Sequence, residues 1–184
     1  MTVKEIILAA ADELDVREEV ELYLEGYVEM GDKQVTDLLR CFNAVENQLA
    51  LEYLPLVTEE EIQTETGAVY YSDLSRAPVR IVKITDKWGN EAPFKIFAEY
   101  VKTEPGAIKV RYTYTPKEKS LSEQTDFTLA VSKRLFVYGI AAEYCLSSGL
   151  FEESAVWEKK YKEAISAVYK SRRGKGKILS RRWV

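Results

Sequence analysis

The sequence predicts an α+β fold: a helical bundle of about four to five helices, a small antiparallel β-sheet insertion and an extended basic C-terminal tail. Three observations predict it. Apolar residues recur every three to four positions in the first and last thirds of the chain. Between those thirds they alternate with polar residues, the period of a half-exposed strand. The end of the chain has no period and is basic throughout. These divide the chain into 1–56 with 120–170 for the bundle, 57–119 for the β insertion and 171–184 for an extended arm.

The elements follow in order. Thr2 with Glu5 reads as a capping box, and Val3, Ile6, Ile7, Ala10 and Leu14 behind it form a helical stripe. Asp15 with Glu18 repeats the signal and opens a second helix on Val16, Val20, Leu24 and Tyr27/Val28. Gly31-Asp32 breaks that pattern. A third helix carries Val35, Leu38/Leu39, Phe42, Val45 and Leu49 until Pro55 stops it.

The β block begins with one or two edge strands between Ile62 and Tyr71. Residues 79–85 read as a strand, Trp88-Gly89-Asn90 as a turn and residues 93–97 as its return. After Pro105-Gly106, Ile108, Val110, Tyr112 and Tyr114 alternate with Lys109, Arg111, Thr113 and Thr115, an antiparallel strand with one face in water. The expectation is one sheet of about four or five strands that rests on the helices or protrudes as a lobe.

Helical signals return near Ser122–Asp126. From Phe127 to Leu146 the charged residues are Lys133, Arg134 and Glu143, and Leu129, Leu135, Phe136, Ile140 and Tyr144 form the stripe, so this helix is central to a bundle or buried in an oligomer. Gly149 suits its C-cap. Phe151 to about Lys170 is the last helix, with Trp157, Tyr161, Ala164, Ile165 and Val168 inward.

The 184 residues include 46% hydrophobic and 30% charged, a globular balance that disfavours wholesale disorder. No apolar run approaches the roughly 18 residues of a bilayer span, and the first residues lack a signal-peptide pattern. The formal charge of −4 is unevenly placed: residues 1–65 carry −13, residues 66–170 carry +3 and residues 171–184 carry +6. An acidic body with a basic end suggests that the end meets something the body does not.

Chemistry is narrowed by what is missing. With no histidine the usual general base, the commonest metal ligand and the Ser/His and Cys/His pairs are gone. Cys41 and Cys145 lie in apolar helical patterns and form no CxxC, so they read as buried packing thiols. The carboxylates Glu18 and Glu19 fall on a helix face, and Glu59, Glu60 and Glu61 in a connection beside Pro55. Phosphate-loop, dinucleotide and nucleophile-elbow motifs are absent, and Gly174-Lys175-Gly176-Lys177 has no strand before it or helix after it. The expectation is a protein that is not an enzyme and needs no cofactor or metal. Tyr112 and Tyr114 read as the packed face of a sheet before they read as base-stacking groups. The candidate binding residues are Arg172, Arg173, Lys175, Lys177, Arg181, Arg182 and Trp183, a composition suited to an arm that docks on a protein at least as well as to one that lies on DNA.

The order of elements resembles the head-to-tail connector (adaptor, or neck) proteins of tailed bacteriophages. Val35–Pro55, VTDLLRCFNAVENQLALEYLP, resembles that family's third helix, residues 66–86, TGAVYYSDLSRAPVRIVKITD, its first strands, and residues 127–165, FTLAVSKRLFVYGIAAEYCLSSGLFEESAVWEKKYKEAI, its closing helical hairpin. The resemblance implies a structural virion protein made in the host cytoplasm. It implies a homo-oligomeric ring, typically of twelve subunits, at the neck beneath the portal protein. DNA would pass through it without sequence-specific binding, and a downstream neck or tail protein would lie below. By the same resemblance Arg172 to Val184 would be the portal-binding arm. A ring needs two different complementary patches on each subunit. The alternatives are a DNA-binding or packaging accessory protein acting through its basic tail, and an enzyme that uses carboxylates alone; no membrane partner is expected.

Overall fold

Thr2 starts the first helix as its spacing with Glu5 predicts. The Glu5 N–H donates to Thr2 Oγ1 at 3.3 Å and the Thr2 N–H donates to Glu5 Oε2 at 3.0 Å, which satisfies two otherwise orphaned donors of α1 (Val3–Glu13). The computed structural model describes residues 1–127 and 131–173, and of residues 28, 30 and 171–173 the backbone alone. Within it the chain forms two compact units, Met1–Glu46 with Glu118–Val184, and Asn47–Lys117. The division at 46/47 falls ten residues before the predicted start of the β insertion at 57. Only Leu54 and Pro55 separate the turn after the third helix from the first strand, so these residues go with the strand.

The helical unit corrects two predicted boundaries. Asp15 does not cap the second helix: it sits in the left-handed region at φ 55°, and the Val16 N–H reaches back to the Ala11 carbonyl at 3.1 Å. That closes the C-terminus of α1, and α2 (Arg17–Leu24) begins without a side-chain cap. The predicted break at Gly31 is displaced to Gly26, which adopts φ 105°, and α3 (Val28–Gln48) runs through Gly31. Gly31 is there for space: a Cβ would overlap the Glu19 carbonyl and stand 2.9 Å from Tyr23 Cβ, so its bare backbone lets α2 and α3 touch.

α4 (Lys133–Ser147) is the centre of this unit, apolar on most faces as predicted, with Leu135, Phe136, Val137, Ile140, Ala141 and Cys145 buried. α1 packs on one side of it and α5 (Phe151–Arg173) along another. Phe42 of α3 stacks on Phe136 at 5.5 Å, and Gly139 admits Val45 of α3 and Tyr161 of α5. Gly149 takes φ 77° as the predicted cap. Two expectations fail here. Residues 122–126 carry a turn, bends and an isolated bridge, and α4 starts at Lys133 rather than Phe127; backbone and side-chain bonds hold residues 118–127 against α3 and α1 instead. Leu129 lies outside the described residues. The second failure concerns the arm: the helix continues to Arg173, since Ser171, Arg172 and Arg173 contain no helix breaker and the first glycine is Gly174.

In the other unit α3 ends in a π-helical turn, Leu49–Tyr53, ahead of Pro55. The strands are β1 (Leu56–Thr64), β2 (Ala68–Tyr70), β3 (Pro78–Asp86), β4 (Lys95–Ile96), β5 (Tyr100–Lys102) and β6 (Gly106–Tyr114). They make two three-stranded antiparallel sheets, ordered β1-β6-β3 and β2-β5-β4, where one sheet was expected. Val69 and Val101 of the small sheet join Ile81, Ile84, Ile108, Val110 and Tyr112 of the large one in a single buried cluster. Each sheet therefore hides the apolar face of the other. The predicted hairpin return at 93–97 does not pair along the preceding strand. The Ala92 N–H donates to the Ile84 carbonyl, but Pro93 has no N–H to extend the ladder, and β4 joins β5 instead.

Gly31→Ala is expected to lose about 1–3 kcal/mol by overpacking, whereas Gly26→Ala, with open space around it, loses about 1–2 kcal/mol from its positive φ alone. Urea unfolding of the two variants checks both values.

Candidate functional site

Of the predicted arm, Arg172 and Arg173 belong to the last turn of α5, so the extended segment begins no earlier than Gly174. Lys175, Lys177, Arg181, Arg182 and Trp183 lie outside the described residues. Two charged surfaces of the helical unit are described, and they carry opposite signs on different helices.

The first surface runs from the end of α1 through α2 to the start of α3. Between residues 12 and 32 there are nine acids and one cation, Arg17. Arg17 is committed locally, to Asp12 at 2.5 Å and Glu21 at 2.6 Å. Glu13, Asp15, Glu18, Glu25, Glu29 and Asp32 point into water, and Tyr27 among them is 60% exposed. The second surface is a groove of about 540 Å3 between the start of α4 and the C-terminal half of α5, with Arg134, Tyr138, Lys160, Glu163, Ala164, Ala167 and Val168 on its walls. Lys160 lies 3.8 Å over the Trp157 ring and Trp157 packs on Tyr138, so the cation rests on an aromatic base. The adjoining face of α5 adds Lys159, Lys162 and Lys170, with Glu158 between them.

Two further patches are apolar. Leu146, Leu150, Phe151 and Val156 are all about half exposed or more at the elbow between α4 and α5. In the β unit Tyr70, Tyr100 and Phe97 form a row across the outer face of the small sheet, with Phe97 and Tyr100 stacked at 4.8 Å. The tip after β3 is built: Asp86 accepts from the backbone of Trp88 and Asn90, both at 2.8 Å, and presents Trp88 at 75% exposure.

The carboxylates that the sequence singled out lie on regular structure. Glu18 and Glu19 are on α2 as expected, but Glu59–Glu61 are on β1 and not in a connection. The strand was hidden because its inward positions include Thr58, Glu60 and Thr64, which break the apolar alternation. Glu59 and Glu61 face outward opposite Arg111 and Lys109, and Lys109 meets Glu61 at 2.8 Å, which holds the Glu61 carboxyl below its ordinary range. Glu60 turns inward. Burial pushes its carboxyl up, but bonds from the Ser75 hydroxyl and backbone and from the Tyr112 hydroxyl outweigh this and leave it below the usual range. Its work is to fix the loop after β2. Cys41 is buried and its thiol is pushed up to about 11 by burial; Cys145 is shifted the same way. Both behave as the packing thiols expected.

The group that sequence reasoning missed is Glu46. It lies on the stripe of α3 next to Val45, 1% exposed, where an apolar residue is usual. Its Oε1 accepts from Thr125 Oγ1 at 2.5 Å and from the Asp126 N–H at 2.9 Å, while Oε2 finds no partner among the described residues. One turn earlier Asn43 exchanges two bonds with the Lys119 backbone, at 2.7 and 3.2 Å, and Lys119 pairs with Asp126 at 2.7 Å. A charged residue inside an apolar stripe was the available signal. This clasp secures the segment that re-enters the helical unit.

Among the described residues no group of three or more His, Cys, Asp or Glu is placed to hold a metal ion, and no helix is long and apolar enough to cross a membrane. No protein-family model and no curated protein sequence matches the chain.

Burial pushes the Glu46 carboxyl up, against its bonds to Thr125 and Asp126 and the nearby Lys119. A carboxyl raised on folding stabilises the fold below its unfolded range, and this is lost as pH rises through the raised value. Glu46→Gln, which keeps the Oε1 acceptor, is expected to be at least as stable as the parent at pH 7. The difference should close as pH falls below about 4.3. Glu46→Ala should lose about 1–3 kcal/mol, and urea unfolding across pH checks both.

Proposed function

We propose that this chain is a non-enzymatic virion connector of tailed bacteriophages, a ring-forming adaptor at the neck that binds the portal protein and lets DNA pass. The observation that carries this reading is the order of parts. A helical unit is interrupted by a separate β unit and ends in a long helix that delivers the cations from Arg172 onward.

Three features support it. A joint must present several contact surfaces, and the chain has an apolar elbow at Leu146–Phe151, an aromatic row at Tyr70–Phe97–Tyr100 and a built tip at Trp88. The buried Glu46 and the half-buried Glu60 each hold a neighbouring loop, and both thiols are packed. A body whose first 65 residues carry −13 repels a DNA duplex held close, which suits a channel through which DNA slides. The ring, of about twelve copies in the virion by the resemblance, then closes by a heterologous contact. A downstream neck or tail protein would meet the far side.

Removing residues 174–184 is expected to leave the unfolding midpoint unchanged and to abolish co-sedimentation with portal-bearing capsids. Undiminished incorporation of the shortened chain would contradict the reading. If the full chain binds duplex DNA with a steep salt dependence that the same deletion removes, the packaging-accessory reading takes its place.

A further inference from the structure

The two charged surfaces of the helical unit do not belong to the same place. The acidic corner is formed by α1, α2 and the start of α3, with α2 resting on α1 and, through Gly31, on α3. The basic groove is formed by α4 and α5. One copy therefore presents the two signs on different helices. Among the described residues Arg17 pairs with Asp12 and Glu21 at the corner, and Lys162 with Glu158 on α5.

We infer that the groove between α4 and α5 receives the acidic α1–α2–α3 corner of a second copy of this chain, in a head-to-tail contact. Four observations select that occupant. The groove wall and the adjoining face of α5 carry Arg134, Lys159, Lys160, Lys162 and Lys170 against Glu158 and Glu163, a net of +3. The corner carries −8 between residues 12 and 32. Residues 174–184 of the same chain are cationic, the same sign as the groove, and so do not complement it. A nucleic-acid duplex would meet Glu158 and Glu163 among the lysines, whereas a protein surface of mixed sign accommodates them.

The contact also has apolar content. Tyr27 stands exposed within the acidic corner, and the groove has Tyr138, Ala164, Ala167 and Val168 on its walls. Alanines allow close approach, and a tyrosine ringed by charges is a usual anchor of an interface. Because corner and groove are different surfaces, each copy uses both, and repetition of the contact builds a closed ring or a filament rather than an isolated dimer. The inference names the lateral surfaces of the assembly proposed above and rests on that reading for closure into a ring. The pairwise contact stands or falls by itself.

The test is sedimentation velocity of the full chain in low salt, where the screening length is about 20–30 Å. The parent is expected to self-associate, at least about tenfold more weakly in 0.5 M salt. The corner variant Glu13→Lys, Glu18→Lys, Glu25→Lys, Glu29→Lys, Asp32→Lys and the groove variant Arg134→Glu, Lys159→Glu, Lys160→Glu, Lys162→Glu, Lys170→Glu turn each surface to the sign of its partner, and each should be monomeric and folded by circular dichroism. Combining the two variants restores opposite signs at the parent's net charge, and self-association should return. Combining the corner variant with Arg80→Glu, Lys87→Glu, Lys95→Glu, Lys102→Glu and Lys117→Glu in the β unit, again at the parent's net charge, should not restore it. A monomeric parent at high concentration in low salt overturns the inference, as does a folded combined corner-and-groove variant that stays monomeric. Loss of duplex binding with unchanged self-association in the groove variant would assign the cations to DNA and overturn it too. Portal binding that survives in the corner variant leaves the connector reading intact whatever becomes of this contact.

Discussion

A chain that leaves a helical unit after Glu46 and returns to it at Glu118 must be tied down where it comes back. Here the tie is a short polar clasp on α3. Asn43 and Glu46, one turn apart on the same face, bind the backbone and side chains of Lys119, Thr125 and Asp126, and the Lys119–Asp126 ion pair closes the set. The N-terminus adds backbone bonds from Val3 to Glu123, from Lys4 to Leu121 and from Thr125 to Met1. Without these bonds residues 118–127 would carry unpaired donors into the interior, and α4 would start from no fixed point. Since α4 is the element on which α1, α3 and α5 pack, the helical unit depends on this tie.

The proposed connector role asks for rigidity at that point. In that proposal the contact surfaces have to hold their geometry, so they belong on packed elements rather than on loops. The acidic corner and the basic groove sit on helices whose buried faces meet on or around α4, and the β unit has its own core of Val69, Ile84, Val101, Val110 and Tyr112. Both thiols are buried, and Glu46 and Glu60 hold loops.

The class of fold and most helices were legible because their signals are local. A capping box at Thr2, a stripe from Val35 to Leu49, a glycine cap at Gly149 and the alternation from Ile108 to Tyr114 each need only neighbouring residues. What was not legible depends on distant ones. Gly31 read as a breaker because its reason for being glycine is the Glu19 carbonyl on another helix. Asp15 read as an N-cap although α1 claims it for its own end. β1 was missed over Glu59–Glu61 because Glu60 faces in to satisfy Ser75 and Tyr112. The second sheet was missed because three strands of two or three residues have no period to read. Of the candidate arm, the cations were legible as composition, but the sequence placed Arg172 and Arg173 in the extended segment where helix α5 includes them.

The claim on which the account turns is that this chain is a ring-forming joint on a portal. Negative-stain electron microscopy of the purified chain mixed with portal rings tests it most directly. The account predicts an added coaxial ring on one face of the portal, with an open channel through both. Portal particles unchanged in outline at saturating amounts of folded protein would contradict it.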